Sequence, residues 1–179
     1  MTGPDEPRIT WWDSSMPVGL RVTQVSVWAI DEYDGRILIQ DRGTQHFRRY
    51  TLPGGKPEPE DRDDPLRTAA REAFEESQIH IDAARGVYLG YQMVAWDVAG
   101  VEPFAQLRYA VPIIGYEPAV ADPDSGRTYR RYMVNVDRAA EILAWGEPGA
   151  RQAAAAKRAG QELGLRVDDP APDGYRDGE

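Results

Sequence analysis

Residues 52–79 read LPGGKPEPEDRDDPLRTAAREAFEESQI, and the reading of this stretch decides the fold. Its second half contains Arg71-Glu72-Ala73-Phe74-Glu75-Glu76. On a helix, positions three and four apart share a face, so Glu72 lies beside both Glu75 and Glu76 and three carboxylates crowd one patch. Arg71, four residues before Glu75, neutralises one charge. The remainder calls for open water or for a hard divalent cation with oxygen ligands. Pro53-Gly54-Gly55 follows the strand-like residues 47–52, and paired glycines open conformations closed to other residues, so a sharp turn is expected there. Asp63, Asp64 and Pro65 mark the helix start, with Asp64 capping the free amides and Pro65 at the first helical position. Leu66, Ala69, Ala70, Ala73 and Phe74 supply the apolar face.

A strand, a Gly-Gly turn, an acidic loop and R-E-x-x-E-E on a helix together resemble the Nudix hydrolase family, whose signature reads G-x5-E-x7-R-E-U-x-E-E-x-G-U, with U aliphatic. Aligned from its helical end, Arg71, Glu72, Ala73, Glu75, Glu76 and Ile79 fall on matching positions. There are three departures. The spacing from Gly55 to Arg71 is two residues longer than the pattern, Asp63 stands where the upstream glutamate is expected, and Gln78 replaces the closing glycine. The last removes an easy left-handed helix stop. With its flanking strands the resemblance extends over roughly residues 22–143.

The resemblance implies an α/β/α sandwich with a mixed β-sheet. It also implies Mg2+, or Mn2+, held by Glu72, Glu75 and Glu76, with the backbone of Gly55 helping to shape the metal site. The catalytic set is then Glu72, Glu75, Glu76 and Arg71, the arginine orienting a box carboxylate through a charge-assisted hydrogen bond. The general base stays open among Glu76, Glu102 and Glu117.

Composition agrees with this chemistry. A chain of 179 residues, 41% hydrophobic, can bury a sizeable core as one domain with modest additions. Cysteine is absent, and the two histidines, His46 and His80, are too few and too far apart in sequence for a zinc cluster. A metal site must therefore be built from oxygen. The amino-terminal residues lack the basic start and apolar core of a signal peptide, and no run approaches the roughly 18 apolar residues of a membrane span, so a cytoplasmic protein is expected. A net charge of -9 argues against a nucleic-acid polymer, whose binding rests on phosphate neutralisation by Lys and Arg. A small phosphorylated partner is compatible with it.

Residues 22–30 and 36–40 read as paired strands, and residues 86–98 and 104–114 as a hairpin. Residues 129–136, with their run of arginines, read as a last strand. Residues 137–144 read as a helix with Asp137 as its cap, and residues 148–163, with four consecutive alanines, as a carboxy-terminal helix. The expected organisation is a leader over 1–20, the hydrolase domain over 21–146, a helix over 147–166 and a flexible tail over 167–179. Arg48, Arg49 and Arg108 are the candidate substrate-binding residues, since phosphate recognition favours arginine forks. Arg42 and Lys56 lie on flanking segments too. Trp11-Trp12, two large apolar side chains in a polar leader, should cover either the domain's own flank or a second subunit, and a homodimer is expected.

Two functions follow. One is metal-dependent hydrolysis of a phosphoanhydride, in a nucleoside diphosphate linked to another group or in a nucleoside triphosphate. The other is a binding module that senses a nucleotide-like ligand without cleaving it.

Overall fold

The computed structural model describes residues 7–43 and 49–176. Along the chain follow β1 (Arg8–Trp12), β2 (Arg21–Asp31), β3 (Ile37–Asp41), β4 (Tyr50–Thr51), β5 (Gly54–Gly55), α1 (Pro65–Ser77), β6 (Ile79–Ile81), β7 (Val87–Ala95), β8 (Phe104–Tyr116), β9 (Arg130–Val134), α2 (Val136–Leu143), α3 (Gly146–Glu162) and β10 (Gly174–Tyr175). The strands form one mixed sheet in the order β1-β7-β8-β2-β3-β9-β10, with β4 on β3, β5 on β2 and β6 on β8. The central pair β2–β8 is parallel and its register is Val25 to Leu107, Ser26 to Arg108 and Val27 to Tyr109. Part of the strand expected over residues 47–52, and Arg48 and His46 with it, lies outside the described residues.

Alternation along β2 divides the core in two. Val25, Val27 and Ala29 point to one face, where Leu38, Met133 and the small residues Ala69 and Ala73 of α1 complete a buried cluster. Trp28 and Ile30 point to the other, against Ile37, Ile39 and Val134, with α2 and α3 as the cover. With both faces covered, β2 is buried along most of its length, so the alternating pattern gives way to a nearly continuous one. The alanine run of α3 has a direct reason: Ala153, Ala156 and Ala159 are buried against this face, and only small side chains let the helix lie so close. Among the described residues, no helix is long and apolar enough to cross a membrane.

Four expectations change. Within the stretch read as a leader, β1 pairs with β7 along its whole length, and Trp11 is core while Trp12 is 44% exposed. The stretch read as a flexible tail is held by its polar side chains. Val167 is buried, β10 pairs with β9, the Tyr175 hydroxyl donates to Asp41 Oδ2 at 2.8 Å, and Arg176 forms an ion pair with the fully buried Asp31. Asn135, not Asp137, caps α2, its side chain accepting from Arg138 N at 2.7 Å. Phe74 is 40% exposed and lies against the His80 ring instead of joining the apolar face of α1.

Candidate active site

The helix start is as the residues require: Asp64 caps α1 by accepting from Leu66 N at 2.9 Å, and Pro65 takes the first position. The glycines act differently from expectation. Gly54 and Gly55 form strand β5, and their value lies in the side chains they lack. Gly54 has φ +149°, and a Cβ there would stand 2.2 Å from the carbonyl oxygen of Val25. A Cβ on Gly55 would stand 2.3 Å from the carboxyl carbon of Glu72. The box helix can therefore rest its carboxylates directly on the backbone of β5.

Glu76 is held at both oxygens. Oε2 accepts from the amide of Gly54 at 2.9 Å and from Gln40 Nε2 at 3.0 Å, while Oε1 accepts from the guanidinium of Arg42. Arg42 in turn sits over the ring of Tyr129, 4.3 Å from its centroid. Burial pulls the pKa of Arg42 down, against the attraction of Asp122.

Arg71 links the remaining acids. Its Nη1 donates to Glu72 Oε1 at 2.9 Å and to Glu75 Oε2 at 3.1 Å, and Nη2 donates to the carbonyl of Lys56 at 2.8 Å. Nε and Nη2 grip the two oxygens of Asp61 at 3.2 and 3.0 Å. Asp61 also accepts from the Thr68 hydroxyl and from Glu58 N, both at 2.9 Å. These bonds, led by Arg71, hold its pKa down at about 2, and the Arg71 pKa rises in return.

Asp61 therefore takes the place expected of Asp63, which is exposed in a turn with φ 57°. Counted forward from Gly55, Asp61 has the five intervening residues of the signature. Counted back from Arg71, it is two residues too early. The insertion thus lies between the acid and the helix, where a turn with Arg62 and Asp63 at positive φ absorbs it. Gln78 ends α1 in the left-handed conformation despite its side chain, φ 52°, and its Nε2 caps the carbonyls of Phe74 at 2.8 Å and Glu75 at 3.2 Å.

The residues fit a hard divalent cation. Glu72, Glu75, Glu76 and the backbone of Gly55 are all oxygen donors, brought to one strand and one helix. Burial raises the pKa of Glu72 and Glu75 adds to the rise, with Arg71 opposing both. Arg71 and Arg42 stand among these acids, and among the described residues no group of three acids or histidines closes into a chelating cluster.

Of the arginines marked as substrate-binding, Arg49 is exposed and Arg48 lies outside the described residues. Arg108 is buried in the wall of a cavity of about 510 Å3 on the α3 side of the sheet, with Ser26, Gln92, Gln106 and Trp145. Trp28 and Tyr91 are core, whereas Tyr33 is 70% exposed. Sequence reasoning missed Asp61, which counting from Gly55 would have found. It also missed Gln40 and the glutamines around Arg108, for which no local pattern exists.

The NUDIX domain model matches residues 20–122 of the chain. Among solved structures, a NUDIX hydrolase from Nitrosomonas europaea is similar, with 18% identity, a TM-score of 0.52, and coverage of 86% of this chain and 93% of that one. The E. coli ORF135 protein is 21% identical with a TM-score of 0.50, and the match covers 82% of this chain and 98% of that one. None of the curated proteins matches the sequence.

Proposed function

The chain belongs to the Nudix family, and from that premise we propose that it hydrolyses a phosphoanhydride bond in a nucleoside diphosphate linked to another group, or in a nucleoside triphosphate. One observation carries this reading: the Glu72 carboxylate rests on the backbone of Gly55, in space a Cβ would fill, one helical turn from Glu75 and Glu76. Carboxylates set this closely repel, and Arg42 with Arg71, which Asp61 also engages, offsets only part of their charge.

Glu72, Glu75, Glu76 and the backbone of Gly55 would hold the ion. A bound Mg2+ or Mn2+ supplies charge cancellation on the phosphoryl oxygens and lowers the pKa of a water. The chain's own residues do the rest. Arg71 fixes the Glu72 and Glu75 carboxylates from one nitrogen and is itself anchored by Asp61, so the two acids cannot swing apart. Gly54 N and Gln40 Nε2 aim Glu76 Oε2, leaving Arg42, among the described residues, as the hydrogen-bond donor to Oε1. Shifting Arg42 from that oxygen toward a substrate phosphate would free it as a ligand.

The test is release of product from a panel of nucleotide sugars, dinucleotides and triphosphates, with and without Mg2+. Turnover that requires the ion and disappears in Glu75→Gln and Glu76→Gln supports the hydrolase. Thermal stabilisation by a ligand with no turnover across the panel replaces it with the ligand-sensing reading.

A further inference from the structure

Arg108 is 3% exposed, yet its hydrogen bonds all go to neutral acceptors. Nε donates to Gln152 Oε1 at 3.2 Å, Nη1 to the carbonyl of Leu107 at 3.1 Å and Nη2 to Gln106 Oε1 at 3.2 Å. Among the described residues it forms no ion pair, and the guanidinium lies 5.7 Å from the centroid of the Trp145 ring. Burial lowers its pKa to about 10, which leaves it charged at neutral pH. A buried charge without a counter-charge is costly, and chains rarely keep one that nothing answers.

The surrounding amides are arranged around that charge. Gln106 Oε1 accepts from both Arg108 and Gln92 Nε2, the latter at 3.3 Å, and Gln92 Oε1 accepts from Gln152 Nε2 at 3.4 Å. The amide oxygens are thus consumed inside the network. Ser26, Gln92, Gln106 and Arg108 line the cavity, and the guanidinium keeps N–H groups beyond the three engaged. Ser26 lies in register with Arg108 on one side and with Gly54 on the other, so Arg108, on the α3 face, lies two strands from β5, against which Glu72 and Glu76 of α1 rest from the other face. That separation is roughly 10 Å across the sheet.

We propose that this cavity reads an anionic group, a phosphate or a carboxylate, on the substrate moiety that lies beyond the scissile diphosphate. The proposal rests on the hydrolase reading above and deepens it: substrates carrying the extra anion are selected over matched neutral ones. Arg108 is the specificity residue, and Trp145 gives it an aromatic backing.

Three pairs of compounds test it, each differing by one anionic group: NADH against NADPH, UDP-glucose against UDP-glucuronate, and ADP against ATP. They separate a sugar phosphate, a carboxylate and a terminal phosphate as the source. Affinity is measured by calorimetry, with and without Mg2+, and turnover by product release. The expected result is a preference of about tenfold or more for the charged member of at least one pair, the size of a single charge-assisted hydrogen bond. The preference disappears in Arg108→Gln. It also disappears in Gln106→Glu, which keeps Arg108 and supplies an internal carboxylate, so this variant decides alone if Arg108→Gln fails to fold. Equal affinity within all three pairs, or a preference that survives these substitutions, overturns the proposal. Binding preference without turnover leaves the pocket standing and removes the hydrolase, and turnover without preference does the reverse.

Discussion

Asp61 and Arg71, ten residues apart, form a two-point ion pair, with Nε to Oδ1 at 3.2 Å and Nη2 to Oδ2 at 3.0 Å. The pair fastens the acidic loop to the box helix, and the same guanidinium spans Glu72 and Glu75. Orientation of two box carboxylates thus depends on a loop residue that touches neither of them directly.

Asp61→Asn should therefore destabilise the protein, whereas Asp63→Asn should be neutral. The folded pKa of Asp61, about 2, lies below the unfolded value near 3.8, so its stabilisation is complete above pH 4 and is lost as pH falls through 2. The difference in stability between wild type and Asp61→Asn, on the order of 1–2 kcal/mol at pH 7, should shrink steadily below about pH 4 and approach zero only near pH 1. Denaturant unfolding across that range measures it, and a difference that is flat with pH would contradict the assignment.

Gly55→Ala puts a methyl group into the Glu72 carboxylate. Overpacking of this kind costs about 1–3 kcal/mol, and the displaced carboxylate should weaken Mn2+ binding as well. Calorimetric titration with Mn2+, alongside a thermal melt, checks both effects. Full Mn2+ affinity in a folded Gly55→Ala protein would show that Glu72 is not a ligand.

Arg42 donates to the Glu76 Oε1 that a divalent ion would take under the proposed function. Arg42→Met should raise Mn2+ affinity by about tenfold, the equivalent of one lost competing contact, and should lower stability in EDTA, where Glu76 is left buried without its cation. An unchanged Mn2+ affinity would argue that the guanidinium yields its place freely.

Removing residues 174–179 deletes β10, the Tyr175 bond to Asp41, and the Arg176 ion pair with buried Asp31. It also removes the Arg176 carbonyl that accepts from the buried Arg131 Nε at 2.7 Å. The expected loss is about 2–4 kcal/mol, or roughly 5–15 °C in Tm for a chain of this size. A melt unchanged by the truncation would return this segment to the status of a loose tail.

What the sequence by itself determined was local. The capped start of α1, the three acids at helical spacing and the β-rich hairpin are properties of neighbouring residues, governed by helical and strand periodicity and by φ preferences, and they appear as read. The acids' spacing also pointed to the family. Tertiary structure alone decided which acid anchors Arg71, that Gly54 and Gly55 serve close packing more than turning, and that residues from both ends of the chain complete the sheet. It also gathered Gln92, Gln106, Arg108, Trp145 and Gln152 around one cavity. Each of these is a contact between segments far apart along the chain, or a choice between equivalent residues. Such outcomes depend on which burial satisfies every polar group at once, and no short window of sequence contains that condition.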